Sequence, residues 1–225
     1  TLPRLFGGRG PGGGDGSPRR GTPADLLVVG LGNPGTEFVG TRHNVGADAI
    51  EIFSARHSTG RLKPEKGQQA LVEELHLGGV RIALAVPTTY MNDSGAAVRP
   101  LLRRFGIDDL SRLVVVHDEL DLPPGRVKVK IGGGIAGHNG LRSIQAHLHS
   151  PDFVRVRIGI GKPPGRRSGA DHVLRRPSRR DRDVLDVAVS AAADAVELIA
   201  DDGIDAAMNR YNGPVDGPVG GRDGD

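Results

Sequence analysis

The pair of residues with the clearest chemical potential in this 225-residue chain is a histidine and an aspartate far apart in sequence. His43 stands in the polar segment "TRHN", between an apolar stretch and a helix-like one. Asp118 stands in "HDELD", directly after "LVVV". A carboxylate that accepts a hydrogen bond from one imidazole nitrogen leaves the other nitrogen as a general base. The plainer reading of the two is a helix-capping His and a turn Asp. "HDE" at 117–119 could also ligate a metal, but no matching His/Asp spacing occurs elsewhere, so no metal is expected. His57, His76, His147, His149 and His172 fall on helix-like or turn segments and carry no chemical signal alone. The chain has no cysteine, which excludes thiolate nucleophiles and disulfides.

Two glycine-rich segments could approach a ligand. In "LLVVGLGNPG", residues 26–35, Gly30, Gly32 and Gly35 have the spacing of a dinucleotide fingerprint. That fingerprint needs a helix to open at the third glycine, with an acid about 20 residues on ending a second strand. Here "TEFVGTRHN" follows instead, and Glu51, the nearest acid, lies in a helical segment. A nicotinamide-dependent oxidoreductase is therefore disfavoured, and the segment reads as a strand-end loop presenting Asn33. "GGGIAGHNG", residues 132–140, holds five glycines and leads into a helix, an arrangement that can aim backbone N–H groups at phosphate or sugar.

The elements that must position these residues are legible from periodicity. Leu26–Gly32 and Leu113–Val116 read as short buried strands, Val154–Ile160 as another, and Val127, Val129 and Ile131 alternate with Lys as on an edge strand. Gln69–Leu75 and Val80–Val86 resemble a hairpin across "HLGG". Helices are expected from Val45, from Asp93 or Ser94 with Pro100 inside, and after Asn139. A long one opens at the Ser178/Asp181 capping box, with Val184, Ala188, Ala191, Ala195 and Leu198 on one face. Strands alternating with helices indicate an α/β layered sheet. Ligands of such sheets sit beyond the carboxyl ends of the strands, where Asn33 and Asp118 both fall. Residues 1–24 and 212–225 are Gly/Pro-rich without apolar periodicity and are expected to be disordered, leaving 25–211 as one domain.

Charge is unevenly spread. Residues 126–182 carry fourteen Lys/Arg against three Asp, whereas residues 183–225 carry two Arg against ten acids. A basic block inside an otherwise acidic body suggests a polyanion-facing surface. The absence of cysteine, of a signal-peptide-like apolar segment and of an apolar run near ~20 residues points to a cytoplasmic, soluble chain without membrane attachment.

"GLGNPGTEFVGTRHNVG", "PTTYMNDSG", "VHDELDLPPGRVKVKIGGGIAGHNGLRSI" and "FVRVRIGIGKP", in that order and with a late "AMNRY", closely resemble bacterial peptidyl-tRNA hydrolases. The resemblance spans roughly residues 26–211. It implies a monomeric, single-domain α/β enzyme with a twisted mixed β-sheet flanked by helices. Such an enzyme cleaves the ester between a peptide and the 3′-terminal ribose of tRNA without metal or cofactor. By the same resemblance His43 is the base, Asp118 its orienting partner, and Asn33, Asn92 and Asn139 the amides near the ester. Met91 and Phe38 would line the substrate, Phe38 standing where the family usually has Tyr. Lys128, Lys130 and Arg157 would contact tRNA, with Arg155 a possible substitute for the last. His172 and Pro177 depart from aromatic positions of the family in a segment that frames the cleft. A non-catalytic RNA-binding relative is the competing reading, disfavoured because His43, Asp118 and the three Asn are all present.

Overall fold

In a computed structural model, which describes residues 22–213 apart from 164, 166 and 167, the chain is built on seven strands. They are β1 (Leu26–Gly30), β2 (Lys63–Pro64), β3 (Ala70–Leu77), β4 (Val80–Pro87), β5 (Leu113–Glu119), β6 (Val127–Ile131) and β7 (Val154–Gly159). Their order in the sheet is β2-β3-β4-β1-β5-β7-β6. β4, β1, β5 and β7 are parallel, while β2, β3 and β6 run antiparallel to their neighbours, so the sheet is mixed. The central strands are buried on both faces, which is why they read as unbroken apolar runs.

The helices are α1 (Val45–His57), α2 (Ser94–Arg104), α3 (Asn139–Leu148), α4 (Gly169–Val173), α5 (Arg179–Asp202) and α6 (Ile204–Asn212). Alternation along β1 decides which layer each helix joins. Leu26 and Val28 meet α1 and α5, whereas Leu27 and Val29 meet α2 and α3. Both layers cover one sheet, giving a single α/β domain. The long helix buries Leu185, Ala188, Val189, Ala192, Val196 and Ile199, leaving Val184 42% exposed, so its apolar face is rotated from the expected one. Two alanine-rich stripes compete on this helix, and the core takes the one with the larger side chains.

Other local readings shift. β1 stops at Gly30 rather than Gly32. α2 begins at Ser94 with Pro100 inside, but neither Asp93 nor Ser94 caps it; Ser94 Oγ donates to the Met91 carbonyl instead. Ser178 Oγ does accept the Asp181 N–H as expected. Packing extends past both anticipated domain limits. Ala24 is fully buried, its N–H bonding the Phe105 carbonyl, and the Asn212 side chain bonds both N–H and C=O of Val129. The rest of the two expected tails, residues 1–21 and 214–225, lies outside the described residues.

Two glycines fix how close α1 comes to the sheet. A Cβ at Gly30 would overlap the Gly46 carbonyl, and one at Gly46 would overlap the carbonyl of Val116 on β5. The first turn of α1 therefore lies directly against the ends of β1 and β5. The residues just before it are held over the same strand ends.

Candidate active site

His43 occupies a 3-10 turn, Arg42–Asn44, leading into α1, and Asp118 lies near the carboxyl end of β5. Close packing at Gly46 brings them together: His43 Nδ1 is 2.8 Å from Asp118 Oδ1, with His43 7% and Asp118 3% exposed. A second imidazole approaches the same oxygen, His138 Nε2 at 2.9 Å. His138 is also the N-cap of α3, its Nδ1 accepting the N–H groups of Gly140 and Leu141. An Nδ1 that accepts must be unprotonated, so Nε2 carries the hydrogen and donates to Asp118. His43 Nδ1 donates likewise, which leaves its Nε2 a lone pair and no partner among the described residues.

Burial opposes ionisation of Asp118. Attraction to His138 and His43, together with their two hydrogen bonds, outweighs it and holds the carboxyl far below the usual carboxylate range. The neighbouring His117 is enclosed, its Nδ1 2.6 Å from the Asp118 carbonyl oxygen and its ring 5.0 Å from that of His138. Burial, reinforced by His138, pushes its pKa well below the ordinary value, so it is neutral. Donor atoms of His43, Asp118 and His138 lie within 4.8 Å of one another, close enough to consider a metal ion. Their facing atoms are already hydrogen-bonded to each other, and His138 Nδ1 is taken by α3. The set is built as a hydrogen-bond chain.

The loop after β1 presents the first amide. Asn44 clamps the backbone of Asn33, accepting its N–H at 2.9 Å and donating to its carbonyl at 3.0 Å. Asn33 Oδ1 in turn accepts the Met91 N–H at 2.8 Å. That bond fixes the amide orientation and leaves Asn33 Nδ2–H without a partner among the described residues. Met91, expected to line the substrate, is 3% exposed and lies beneath the site, where its sulfur packs against Gly140. Asn92 and Asn139 are exposed, the latter accepting from Arg142 Nη1. Phe38 stands edge-on to Tyr90, ring centres 6.3 Å apart, and Tyr90 is 57% exposed.

A cavity of about 280 Å³ opens beside the His43–Asp118–His138 chain and reaches Asn139. His43, Asp118 and Leu120 form one side, Gly137, His138 and Asn139 the next, and Gly169, Ala170 and Val173 of α4 the third. Ala136, also on its wall, has φ of +47°, an unusual conformation for a residue with a Cβ. A second cavity of about 570 Å³ adjoins it across Leu120 and is lined in part by Arg42 and His172. Pro177 lines a third cavity, which shares no lining residue with either.

The basic residues separate into different environments. Lys128 and Lys130 lie on the edge strand β6, cross-strand from Arg157 and Arg155. Lys130 is exposed and Lys128 half-buried. Arg157 pairs with the buried Glu119, Nε and Nη2 each 3.0 Å from Oε2. Arg155, the anticipated substitute, is 2% exposed and bonds the carbonyls of Gly132 and Gly134. It clamps the glycine loop and is not available to an external phosphate. The glycine run 30–35 leads through the 3-10 turn, not into a helix, as its sequence context implied.

Sequence reasoning brought out His43, Asp118 and Asn33, which the fold places at adjoining strand ends. It passed over His138, Asn44 and Tyr90. The signal for His138 was its place immediately before a helix, where a capping side chain was due; its second bond, to Asp118, is set by the fold.

Comparison with known proteins places the chain in a family. The family model described as "Peptidyl-tRNA hydrolase" matches residues 27–217. Peptidyl-tRNA hydrolase of Cutibacterium acnes is 48% identical over 198 residues, covering 83% of this chain and 97% of that protein. That of Rhodococcus erythropolis is 47% identical over 186 residues, covering 83% and 97%. The crystal structure of peptidyl-tRNA hydrolase from Acinetobacter baumannii superposes with a TM-score of 0.78 at 36% identity, covering 84% of this chain and 96% of that one. On these matches the chain belongs to the peptidyl-tRNA hydrolase family.

Proposed function

We propose that this chain hydrolyses the ester between a peptide and the 3′-terminal ribose of tRNA, with His43 as general base. The observation that carries the reading is the buried His43–Asp118–His138 chain, whose one imidazole nitrogen with a lone pair and no partner belongs to His43, at the cavity wall. In the reaction, His43 Nε2 takes a proton from water as the water oxygen attacks the ester carbonyl carbon. The tetrahedral intermediate then expels the ribose 3′ oxygen, which receives the proton from His43. Asp118 stays ionised and faces the transient imidazolium. General-base help of this kind is worth roughly 10²–10⁴-fold.

Asn33 Nδ2–H would meet the developing oxyanion, its orientation fixed beforehand by Met91 N–H and Asn44. Exposed Asn92 and Asn139 would hold the substrate main chain, and Phe38 with Tyr90 would give the tRNA end or peptide an apolar edge. Uncharged amides serve this ester well, because a fixed cation would hold the carboxylate product. Lys128, Lys130 and the outer edge of Arg157 would meet tRNA phosphates, which position without reading sequence. We further propose a monomer, acting in the cytoplasm where peptidyl-tRNA is made. Among the described residues no helix is long and apolar enough to cross a membrane.

The test is release of the blocked amino acid from N-acetyl-aminoacyl-tRNA, with free aminoacyl-tRNA as the contrast. The wild type should cleave the blocked substrate far faster. Equal rates for wild type and His43→Ala would remove His43 from the mechanism.

A further inference from the structure

The basic block noticed in the sequence is only partly used by the site just described, because Arg155 is buried and Arg157 is held by Glu119. A second group of cations lies next to the cavity's α4 wall, in the segment joining α4 to α5 and the first turn of α5. Val173 of α4 lines the cavity, and Arg175, Arg176, Arg179 and Arg180 follow within seven residues, all exposed. Such a segment could wander in solution, but here it is bolted down. Arg176 donates to the carbonyls of Val39 and Thr36, at 2.9 and 3.2 Å. In the other direction Arg42, the neighbour of His43, donates to the Arg175 carbonyl and to Asp181, each at 3.3 Å.

The carboxylates nearby are mostly engaged inside the protein. Asp181 pairs with Arg42, and Asp48 and Asp186 both pair with Arg182. The side chains of Arg175, Arg179 and Arg180 have no hydrogen bond or ion pair among the described residues, and Arg176 bonds only neutral carbonyls. Beside them is a cavity of about 330 Å³ walled by Gly40, Arg176, Arg179 and Arg182, with Asp183 its one acidic lining residue. Arg182 Nη1 is buried close to Gly40 without a hydrogen-bond partner among the described residues. Several exposed, uncompensated guanidiniums fixed beside a strand-end cleft suit bidentate contact with phosphate, which arginine makes better than lysine.

We propose that the arginine strap 175–180 is a second phosphate-contacting surface, separate from Lys128 and Lys130, which grips the sugar-phosphate backbone of the tRNA beside the α4 wall of the cavity. The inference rests on the hydrolase reading and extends it: the RNA body would be held at the strap as well, not along the β6 edge alone. Phosphate contacts of this kind strengthen binding without selecting sequence and weaken as salt rises.

The experiment replaces Arg175, Arg179 and Arg180 together by Gln, leaving Arg176 and Arg42 to keep the strap in place. Two substrates are compared: N-acetyl-aminoacyl-tRNA, and the same acyl group on the isolated 3′-terminal CCA trinucleotide. At low salt KM for the full tRNA should rise about 10-fold or more with kcat unchanged. Its dependence on salt should flatten by roughly 0.7–0.9 in log–log slope for each phosphate that the variant no longer neutralises. The CCA substrate should be cleaved as by wild type, and the melting temperature should hold. An unchanged KM and salt slope for the full tRNA would overturn the proposal. So would an equal loss on both substrates, which would make the strap part of the pocket wall. If wild type cleaves neither substrate, the hydrolase reading fails separately; the strap is then judged by direct binding of uncharged tRNA, where equal affinity and salt slope in wild type and variant overturn it.

Discussion

Asp118 Oδ1 accepts from two imidazoles whose other nitrogens have opposite assignments: His138 Nδ1 is committed to a helix end, and His43 Nε2 is open to the cavity. The carboxylate is thus a shared anchor, and its charge matters more than its shape. Asp118→Asn is nearly isosteric, yet it removes the charge facing the transient imidazolium and can favour the wrong tautomer of His43. It should lower kcat by about 10²–10⁴-fold, in the range general-base catalysis supplies, with KM little changed in steady-state assays on N-acetyl-aminoacyl-tRNA. Asn33→Asp isolates the other half of the site. The new carboxylate can still accept the Met91 N–H, but the donor toward the substrate is gone. A loss of roughly 10²–10³ in kcat is expected for one oxyanion donor, with an unshifted melting temperature. A variant at wild-type rate would take Asn33 out of transition-state stabilisation.

At the scale of elements, the site depends on how closely α1 meets the sheet. Gly46→Ala would push a methyl group into the Val116 carbonyl, which belongs to rigid backbone and cannot step aside. We expect a cost of about 1–3 kcal/mol, typical of overpacking, read in denaturant unfolding. Residual activity should fall further than stability, because the shift parts His43 from Asp118. Ala136 provides the opposite case. Its φ of +47° suits glycine, so Ala136→Gly should relieve strain while loosening the cavity wall. Little change in melting temperature with a raised KM is the expected pattern. Element identities were largely legible: buried strands as apolar runs, β6 by its Val/Lys alternation, the α5 start by its Ser178 cap. The missed details were choices among near-equal local options. Which stripe of α5 faces inward, and whether Ser94 caps a helix or bonds Met91, is decided by neighbours from distant parts of the chain.

For the molecule as a whole, acid sensitivity should centre on His117. Its neutral form is favoured by burial, so the unfolded chain binds a proton near pH 6.5 that the folded chain refuses. Unfolding then takes up that proton, and stability is fully present above this pH. It declines by about 1.4 kcal/mol per pH unit as the pH falls from there toward the lower folded-state value. Melting curves between pH 7.5 and 5 should show this decline, and His117→Gln should flatten it. An equal slope in the variant would assign the effect to other groups.

The amino-acid sequence by itself determined the α/β class, the two polar strand ends and the presence there of a histidine and a carboxylate in a chain without cysteine. These follow from local periodicity and side-chain chemistry, which the chain carries wherever it folds. Only the tertiary structure decided that His138 joins His43 on one carboxylate oxygen, that the Asn33 oxygen accepts from Met91 N–H, and that Arg155 is a buried clamp while Arg175, Arg179 and Arg180 have no side-chain partner among the described residues. Those outcomes depend on which groups compete for the same partner in space. That competition is settled by the packing of segments up to 140 residues apart, as in the Arg176–Thr36 bond, and leaves no trace in local pattern.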